Sequence, residues 1–370
     1  MENKINEEDE GISDSGMLHE RFVEPWGVDG GPEFCIPSQI INIGHIRRGE
    51  GFCRLLFNTT GEAFYTSQSN SRFVIKKTKV GRDLLAIYNS AFLTLREEFP
   101  DHRFTPESDL LLDAYTKINY DLNALGLDFA SLEEAEKFAA EGNKLVESIR
   151  DALTSIDFIK SREAVRRACC KNMASMRRYV SAVVEAPGGS NLMALRLDLS
   201  YRKNAYFGPV PEVVPYDEVR RHRVEMLAHI KRYLGKAYAG YICKLEYGLT
   251  KGFHFHWLIL AKRAYVRRDV LIGKALGQHW DRVVTSGTGM HLNCNLNRKS
   301  YRDACIGEVH IDDPSFWVGM KRLTAYLAKP DYHLKKIIPN GDRSLWRGEM
   351  PKERKSKAGR KRLVNPVVFP

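Results

Sequence analysis

The pattern of hydrophobic and polar positions divides the N-terminal half of the chain into three stretches. Residues 1–32 are poor in apolar side chains and rich in acids, which is typical of a disordered tail. Residues 33–70 hold no sustained period, and we predict short strands and turns there. From about residue 82 to 181 apolar residues recur at helical spacing, as in the stripe of Ala135, Phe138, Leu145, Ile149, Ala152 and Ile156. We therefore predict a mostly helical N-terminal domain over residues 33–186, with no role that the sequence identifies.

The pattern changes after a glycine-containing break at residues 187–190. Alternating or amphipathic segments then predict, in order, a strand (192–200), a helix (217–234), two strands around a turn (238–247 and 253–260), a helix (266–280), strands near 291–295 and 307–311, and a helix (314–329) that ends at Pro330. The first six elements match the split βαβ, ferredoxin-like arrangement, whose first and third strands lie centrally in an antiparallel sheet. The predicted fold class is α+β, with this second domain spanning residues 187–345.

Two histidines lie on the third predicted strand of this domain. Side chains alternate along a strand, so His254 and His256 point to one face and Phe255 points to the other. If the hairpin folds about Thr250, Glu246 falls opposite His254, with Cβ atoms ~5 Å apart. Two such histidines alone are also compatible with simple packing. The added carboxylate gives three ligands with open positions, as metal-assisted phosphate chemistry requires.

A tyrosine and a lysine on the last predicted helix are the second chemical signal. Tyr326 and Lys329 are three residues apart and share a helix face. A phenol beside an ammonium group is a nucleophile next to a group that stabilises phosphate charge or assists deprotonation. This spacing is common by itself, and it gains meaning because it follows the histidine strand in a basic domain.

Charge adds a class of partner to this picture. The 370-residue chain carries a formal net charge of +11, and nucleic acid is the commonest partner of a basic protein. The acidic residues of 1–24 and the basic residues of 352–362 cancel, so the body of the chain is itself basic. No apolar run approaches the ~18 residues of a membrane span, and no secretory signal or CxxC pair is present, which predicts a cytoplasmic protein.

Two groups of basic residues are candidates for contact with DNA. Arg220, Arg221 and Arg223 lie on the outer face of the predicted helix 217–234, where an ordinary solvated face is an equally good interpretation. Residues 346–370 are predicted to form a basic tail. Its Lys352, Arg354 and Lys355 are expected to contact the phosphate backbone as part of a flexible arm.

The order of these motifs resembles the HUH endonucleases, the rolling-circle replication initiators, in which two histidines flank a hydrophobic residue. The chain is most similar to the inovirus-type initiators, also called the YagK/YfjJ C-terminal-domain family of filamentous phages and phage-derived elements. The resemblance covers roughly residues 190–345. It rests on Glu246, on residues 252–256, on Ile272, Gly273 and Trp280, on residues 286–289 and 305–308, and on residues 326–329.

The resemblance implies a set of roles. His254 and His256 would hold Mg²⁺ or Mn²⁺, and Glu246 would complete the protein ligands. Tyr326 would attack single-stranded DNA at an origin, leaving a 5′-phosphotyrosine and a 3′-OH primer, with Lys329 assisting. A host polymerase and a host helicase would act with it in the bacterial cytoplasm, since the chain holds no P-loop of its own. Residues 195–199 occupy the place of the family's first motif, and we predict core strand there and not a site.

Three alternatives stay open at this point. Tyr332 follows Tyr326 by six residues, or roughly 240° around a helix, and Pro330 interrupts that helix. We therefore favour Tyr326 as the single nucleophile, with Tyr332 as a second one only if the break re-aims it. A non-catalytic DNA-binding regulator on the same fold is the alternative function. A conjugative relaxase is less favoured, because relaxases usually place the tyrosine before the histidines.

Overall fold

The computed structural model describes residues 38–69, 72–88, 92–117, 128–186, 190–202, 214–248, 252–298, 305–328, 334–336 and 342–351. The predicted acidic tail at 1–32 and the basic run at 352–362 lie outside the described residues. The described chain is a mixed α and β structure with antiparallel sheets, which confirms the predicted α+β class.

The N-terminal part of the described chain is mostly helical, as predicted. Its elements are α1 (Ser38–Phe57), β1 (Phe64–Ser69), β2 (Arg72–Lys77), α2 (Lys79–Tyr88), α3 (Leu95–Glu98), β3 (His102–Phe104), α4 (Pro106–Tyr115), β4 (Asp128–Phe129), α5 (Leu132–Thr154) and α6 (Ile156–Glu185). Strands β1, β2 and β4 form a small antiparallel sheet. Two of these helices begin with a side-chain cap: the hydroxyl of Thr105 accepts the Ser108 N–H at 3.3 Å, and that of Ser131 accepts the Glu134 N–H at 3.1 Å.

The prediction of strands and turns over residues 33–70 is wrong for its longest segment. Residues 38–57 form helix α1, although Gly49 and Gly51 disfavour a helix locally. The helix buries Ile46, Phe52 and Leu56 in the N-terminal core. A Cβ at Gly49 would lie 3.0 Å from the Phe92 ring, so this glycine allows the close packing that stabilises the helix. Tertiary burial here outweighs local propensity.

The C-terminal part is built on one antiparallel sheet. Its elements are β5 (Asn191–Tyr201), α7 (Tyr216–Leu234), β6 (Tyr238–Gly248), β7 (Gly252–Lys262), α8 (Asp269–His279), which continues into a π-helical turn (Trp280–Val284), β8 (Gly289–Asn293), β9 (Gly307–His310), α9 (Pro314–Ala328), β10 (Leu334–Lys336) and β11 (Leu345–Arg347). The strand order is β11-β6-β7-β5-β8, and β9 also pairs with β5. The first and third strands, β5 and β7, are therefore central, as the split βαβ pattern predicted.

Strand alternation gives the sheet two different faces. On β7, Phe255 and Trp257 are buried in a core with α7 and α8, while Leu258 and Leu260 are buried in a core with α6 and α9. His254 and His256 share the parity of Leu258, so they lie on the α6 and α9 side. One long helix of the N-terminal part thus covers the sheet face that holds the histidines.

Helix α9 is held from two directions by the N-terminal part. It packs against α6, and the Arg177 Nε donates to the Thr324 hydroxyl at 3.3 Å. Beyond α9, strand β10 pairs with β3. At the far edge of the sheet, β11 pairs with β6 and includes Trp346 and Arg347, which the sequence placed in the basic tail. None of the helices in the described part of the chain combines the length and the hydropathy that a membrane span requires.

Candidate metal centre

The β6–β7 hairpin brings the three predicted metal ligands together. Its register pairs Glu246 with His254 and Lys244 with His256, as the fold about Thr250 predicted. His256 is 6 % exposed, and the side chains of His254 and Glu246 are only 12 % and 20 % exposed. The potential ligand atoms of Glu246, His254 and His256 all lie within 4.8 Å of one another.

The spacing of these atoms is suited to a divalent ion. One Glu246 oxygen, Oε2, lies 3.2 Å from the His256 Nε2 and 3.6 Å from the His254 Nε2. Neighbouring ligands of an octahedral ion at ~2.1 Å are separated by ~3 Å, so small shifts would seat an ion among them. Two imidazole nitrogens and a carboxylate accept several divalent ions. The buried cluster could therefore hold a metal ion.

Both imidazoles are oriented by a second hydrogen bond. The His256 Nδ1 lies 2.7 Å from the Asp198 carboxylate, and the His254 Nδ1 lies 3.1 Å from the Gly252 carbonyl. A carbonyl only accepts hydrogen bonds, and so does an ionised carboxylate, so each Nδ1 carries the proton and donates it. The Nε2 atoms are left to face Glu246 and a metal ion. This is the usual outer support of a metal-binding histidine.

The charges of the cluster stabilise one another in the absence of an ion. Burial disfavours a charged imidazole, but the carboxylates of Asp198 and Glu246 outweigh it and raise the pKa of His256 to about 9. Burial likewise opposes a charged Glu246, but His256 and His254 hold its pKa well below the usual range. A bound cation would take the place of the His256 proton, because the carboxylates of Asp198 and Glu246 attract either positive charge.

Tyr326 faces this cluster from helix α9. Its hydroxyl lies 3.4 Å from the His256 Nε2, and the two rings meet edge to face with centroids 5.6 Å apart. The ring packs at the margin of the core between α6 and α9, where Leu323 and Leu327 are buried. The structure therefore brings Tyr326 together with the two histidines and Glu246, although 80 positions separate Glu246 from Tyr326 in the sequence.

Asp198 is a member of this site that the sequence prediction placed in a core strand. Leu195, Leu197 and Leu199 do lie in the core, but Asp198 alternates to the other face and pairs directly with His256 across β5 and β7. The signal was a charged residue in the middle of an apolar strand. Its significance depends on the register of two strands that are distant in sequence.

Lys244 was also missed by the sequence analysis. It lies opposite His256 on β6, is only 5 % exposed, and its Nζ lies 3.3 Å from the Ser344 hydroxyl. This buried lysine lies on the same sheet face as the candidate cluster, where it is suited to an anionic ligand. We regard it as part of the surroundings of the site.

The three predicted arginines of α7 are not brought to the cluster. Helix α7 covers the opposite face of the sheet. Arg221 pairs with Glu218 and Glu225 at 3.5 and 3.4 Å along its own helix. By contrast, a cavity of about 290 Å³ is lined by Tyr216, Arg220, Arg223, Asp342, Arg343 and Trp346. Their predicted contact with DNA stays a prediction, and the structure distinguishes Arg221 from the other two.

The remaining predicted site residues lie outside the described residues. These are Lys329, Tyr332, Lys352, Arg354 and Lys355.

Comparison of the chain with protein-family models, with curated proteins and with solved structures gives no match. The functional argument therefore depends on the chemistry of the site itself.

Proposed function

We propose that this protein is an HUH-type, metal-dependent endonuclease of the inovirus kind, which nicks and rejoins single-stranded DNA at an origin to initiate rolling-circle replication of a phage or phage-like element. The observation that carries the proposal is the 3.4 Å contact between the Tyr326 hydroxyl and the His256 Nε2. A nucleophile at that distance from a metal ligand lies where a metal-bound phosphate would be attacked.

The surrounding geometry supports the same chemistry. When bound, Mg²⁺ or Mn²⁺ would polarise the scissile phosphodiester and stabilise the charge that develops on it. His254, His256 and Glu246 would hold the ion, and Asp198 would keep the His256 Nε2 directed at it. The central strands carry these residues on a rigid platform, while α9 carries the nucleophile.

The chemical step balances without any further reactant. The Tyr326 hydroxyl loses its proton and its oxygen bonds to the phosphorus. The bond from phosphorus to the 3′ oxygen breaks, and that oxygen takes up a proton to become the 3′-OH primer. The 5′ end stays on Tyr326 as a phosphotyrosine, and the reverse reaction rejoins the strand. Lys329 would assist at the phenol or the phosphate, and a host helicase and polymerase would extend the primer.

A DNA-binding regulator on the same fold is the rival proposal. The position of the Tyr326 hydroxyl beside the candidate metal ligands supports the enzyme over the regulator. A conjugative relaxase would perform similar chemistry, but here the tyrosine follows the histidines in sequence. We also propose the bacterial cytoplasm as the compartment in which the protein acts.

The test is the formation of a covalent adduct. The purified protein would be mixed with Mn²⁺ and labelled single strands that tile the DNA flanking its gene, and resolved on a denaturing gel. We expect one strand to give a shifted band that requires metal and disappears in Tyr326→Phe. This substitution keeps the ring that packs beside α6, so the loss would reflect the missing hydroxyl.

Tyr332→Phe is the matched control, and it should retain the adduct. An adduct lost only in Tyr332→Phe would transfer the role of nucleophile to that residue. No adduct with any strand, from protein shown to bind Mn²⁺, would favour the regulator.

A further inference from the structure

A broad groove lies at the opposite end of the sheet from the metal-binding cluster. It has a volume of about 590 Å³ and is formed by the last turn of α7, the segment that joins it to β6, and the connection from β7 to α8. The residues that give it chemical character are Tyr233, Lys236, Tyr265, Arg267 and Arg268. No acidic side chain lines it.

The three cations of the groove are uncommitted. Within the described part of the chain, Lys236, Arg267 and Arg268 have no ion pair and no side-chain hydrogen bond. The nearest carboxylate in sequence, Asp269, is occupied by Arg298 at 2.6 Å and by Asn295 at 2.8 Å. The groove therefore has a net charge of about +3 that no side chain in the described part of the chain neutralises.

Two aromatic rings stand beside these cations. Tyr265 is 62 % exposed and Tyr233 is 48 % exposed, so both rings are open to a ligand. Among the described residues Tyr265 contacts no other ring, whereas Tyr233 touches only His229, at a centroid distance of 5.8 Å. Open rings interleaved with cations are the pattern that binds unpaired bases and their phosphates.

We propose that this groove binds a second stretch of single-stranded DNA, with bases against Tyr233 and Tyr265 and phosphates on Lys236, Arg267 and Arg268. The inference goes beyond the proposed nicking reaction, because the groove contains none of the cluster's residues. Along β7, the six steps from His256 to its last residue, Lys262, span roughly 20 Å, or about six nucleotides of a stacked strand, and the groove begins just beyond that end. The groove would hold the strand at a distance from the scissile bond and would contribute affinity and not chemistry.

The test is equilibrium binding of a fluorescent 20-nucleotide oligothymidine, measured by anisotropy in EDTA so that no metal or cleavage enters. We expect Arg267→Ala/Arg268→Ala to weaken binding and to lower the slope of log affinity against log salt by about 1.4. Tyr233→Ala/Tyr265→Ala should weaken binding about tenfold or more, while Tyr233→Phe/Tyr265→Phe should bind as wild type, since phenylalanine retains the stacking face.

Controls separate this proposal from its rivals. Arg96→Ala, which removes an N-terminal cation already paired with Asp109 at 3.1 Å and with Asp113 at 2.8 Å, should bind as wild type. Unchanged affinity in the arginine pair would overturn the proposal, and so would equal binding by the alanine and phenylalanine pairs, because stacking would then be absent. Displacement of the oligonucleotide by polyglutamate at equal charge would overturn it in favour of an acidic peptide.

The outcome is independent of the nicking reaction. If groove variants lose DNA but the wild type forms no adduct, the groove stands and the enzyme fails. If they bind DNA normally while Tyr326→Phe abolishes the adduct, the enzyme stands and the groove fails.

Discussion

His256 is the residue on which the candidate centre depends, because three side chains converge on it. Its Nδ1 contacts Asp198 at 2.7 Å, while its Nε2 contacts Glu246 at 3.2 Å and Tyr326 at 3.4 Å. The ring thus connects an orienting carboxylate, a second candidate metal ligand and the proposed nucleophile. A change at Asp198 should therefore alter the orientation of the His256 ring and both contacts of its Nε2.

We expect Asp198→Asn to weaken Mn²⁺ binding by roughly 10–100-fold, because the His256 ring loses the acceptor that fixes its tautomer and raises its basicity. Calorimetric titration of the metal measures this. Asp281→Asn is a matched control, since Asp281 pairs with His291 at 2.6 Å on the opposite face of the sheet. Equal loss in both variants would show a general effect on stability and contradict the assignment of Asp198.

The stability of the metal-free protein should depend on pH through His256. Its pKa is raised from the ordinary 6.5 to about 9, so the folded state holds the proton more tightly than the unfolded state. The stabilisation is complete below pH 6.5 and is lost as the pH rises through 9. For Glu246 the pKa is lowered, so its stabilisation is present above about 4.5 and is lost in acid.

Thermal unfolding in EDTA between pH 6 and 9.5 measures this dependence. We expect the melting temperature of the wild type to fall across that interval, and the fall to be much smaller in His256→Gln. Parallel curves for the two proteins would mean that His256 is not the group responsible.

At the scale of elements, the candidate site depends on how closely α6 packs against the sheet. Tyr179 of α6 is 1 % exposed and its hydroxyl accepts the Tyr241 N–H at 3.1 Å. A Cβ at Gly240 would collide with that hydroxyl, so the glycine at the β6 bulge allows the helix to approach. The helix in turn supports α9, which carries Tyr326.

We expect Gly240→Ala to lower the free energy of unfolding by about 1–3 kcal/mol, because the added methyl overpacks the contact with Tyr179. Gly51→Ala is the control of opposite sign. Nothing lies within 4 Å of its Cβ position inside α1, so alanine should raise the free energy of unfolding by about 0.5–1 kcal/mol. Urea denaturation measures both. A neutral Gly240→Ala would contradict the packing of α6, and a destabilising Gly51→Ala would contradict a helix over residues 38–57.

The elements that the sequence predicted well are those with local determinants. The β6–β7 register follows from the short turn, so Glu246 could be placed opposite His254 from the sequence alone. The partner of His256 on β5 could not, because Asp198 is 58 residues away and no local pattern sets the register of those strands. Helix α1 was missed for the same reason, since its burial against Phe92 and Leu111 comes from distant residues.

At the scale of the whole molecule, the N-terminal part has a structural role that the sequence did not indicate. It contributes α6, which packs on the sheet face that holds the histidines. It also contributes β3, which pairs with β10, the strand that follows α9. The predicted nucleophile is therefore held between contacts from residues more than 140 positions upstream. Part of the net charge of +11 lies in the groove far from the cluster, where Lys236, Arg267 and Arg268 have no ion pair among the described residues. This distribution of charge is consistent with a partner that extends across the protein.

The most direct test of the central claim is the location of the covalent bond. Adduct formed with Mn²⁺ would be digested with trypsin and nuclease and analysed by tandem mass spectrometry. Proline follows Lys329, so trypsin should release residues 323–335 as one peptide that holds both Tyr326 and Tyr332. We expect fragment ions to place a nucleotide phosphate on Tyr326. A modified Tyr332, or an adduct on any other residue, would contradict the account.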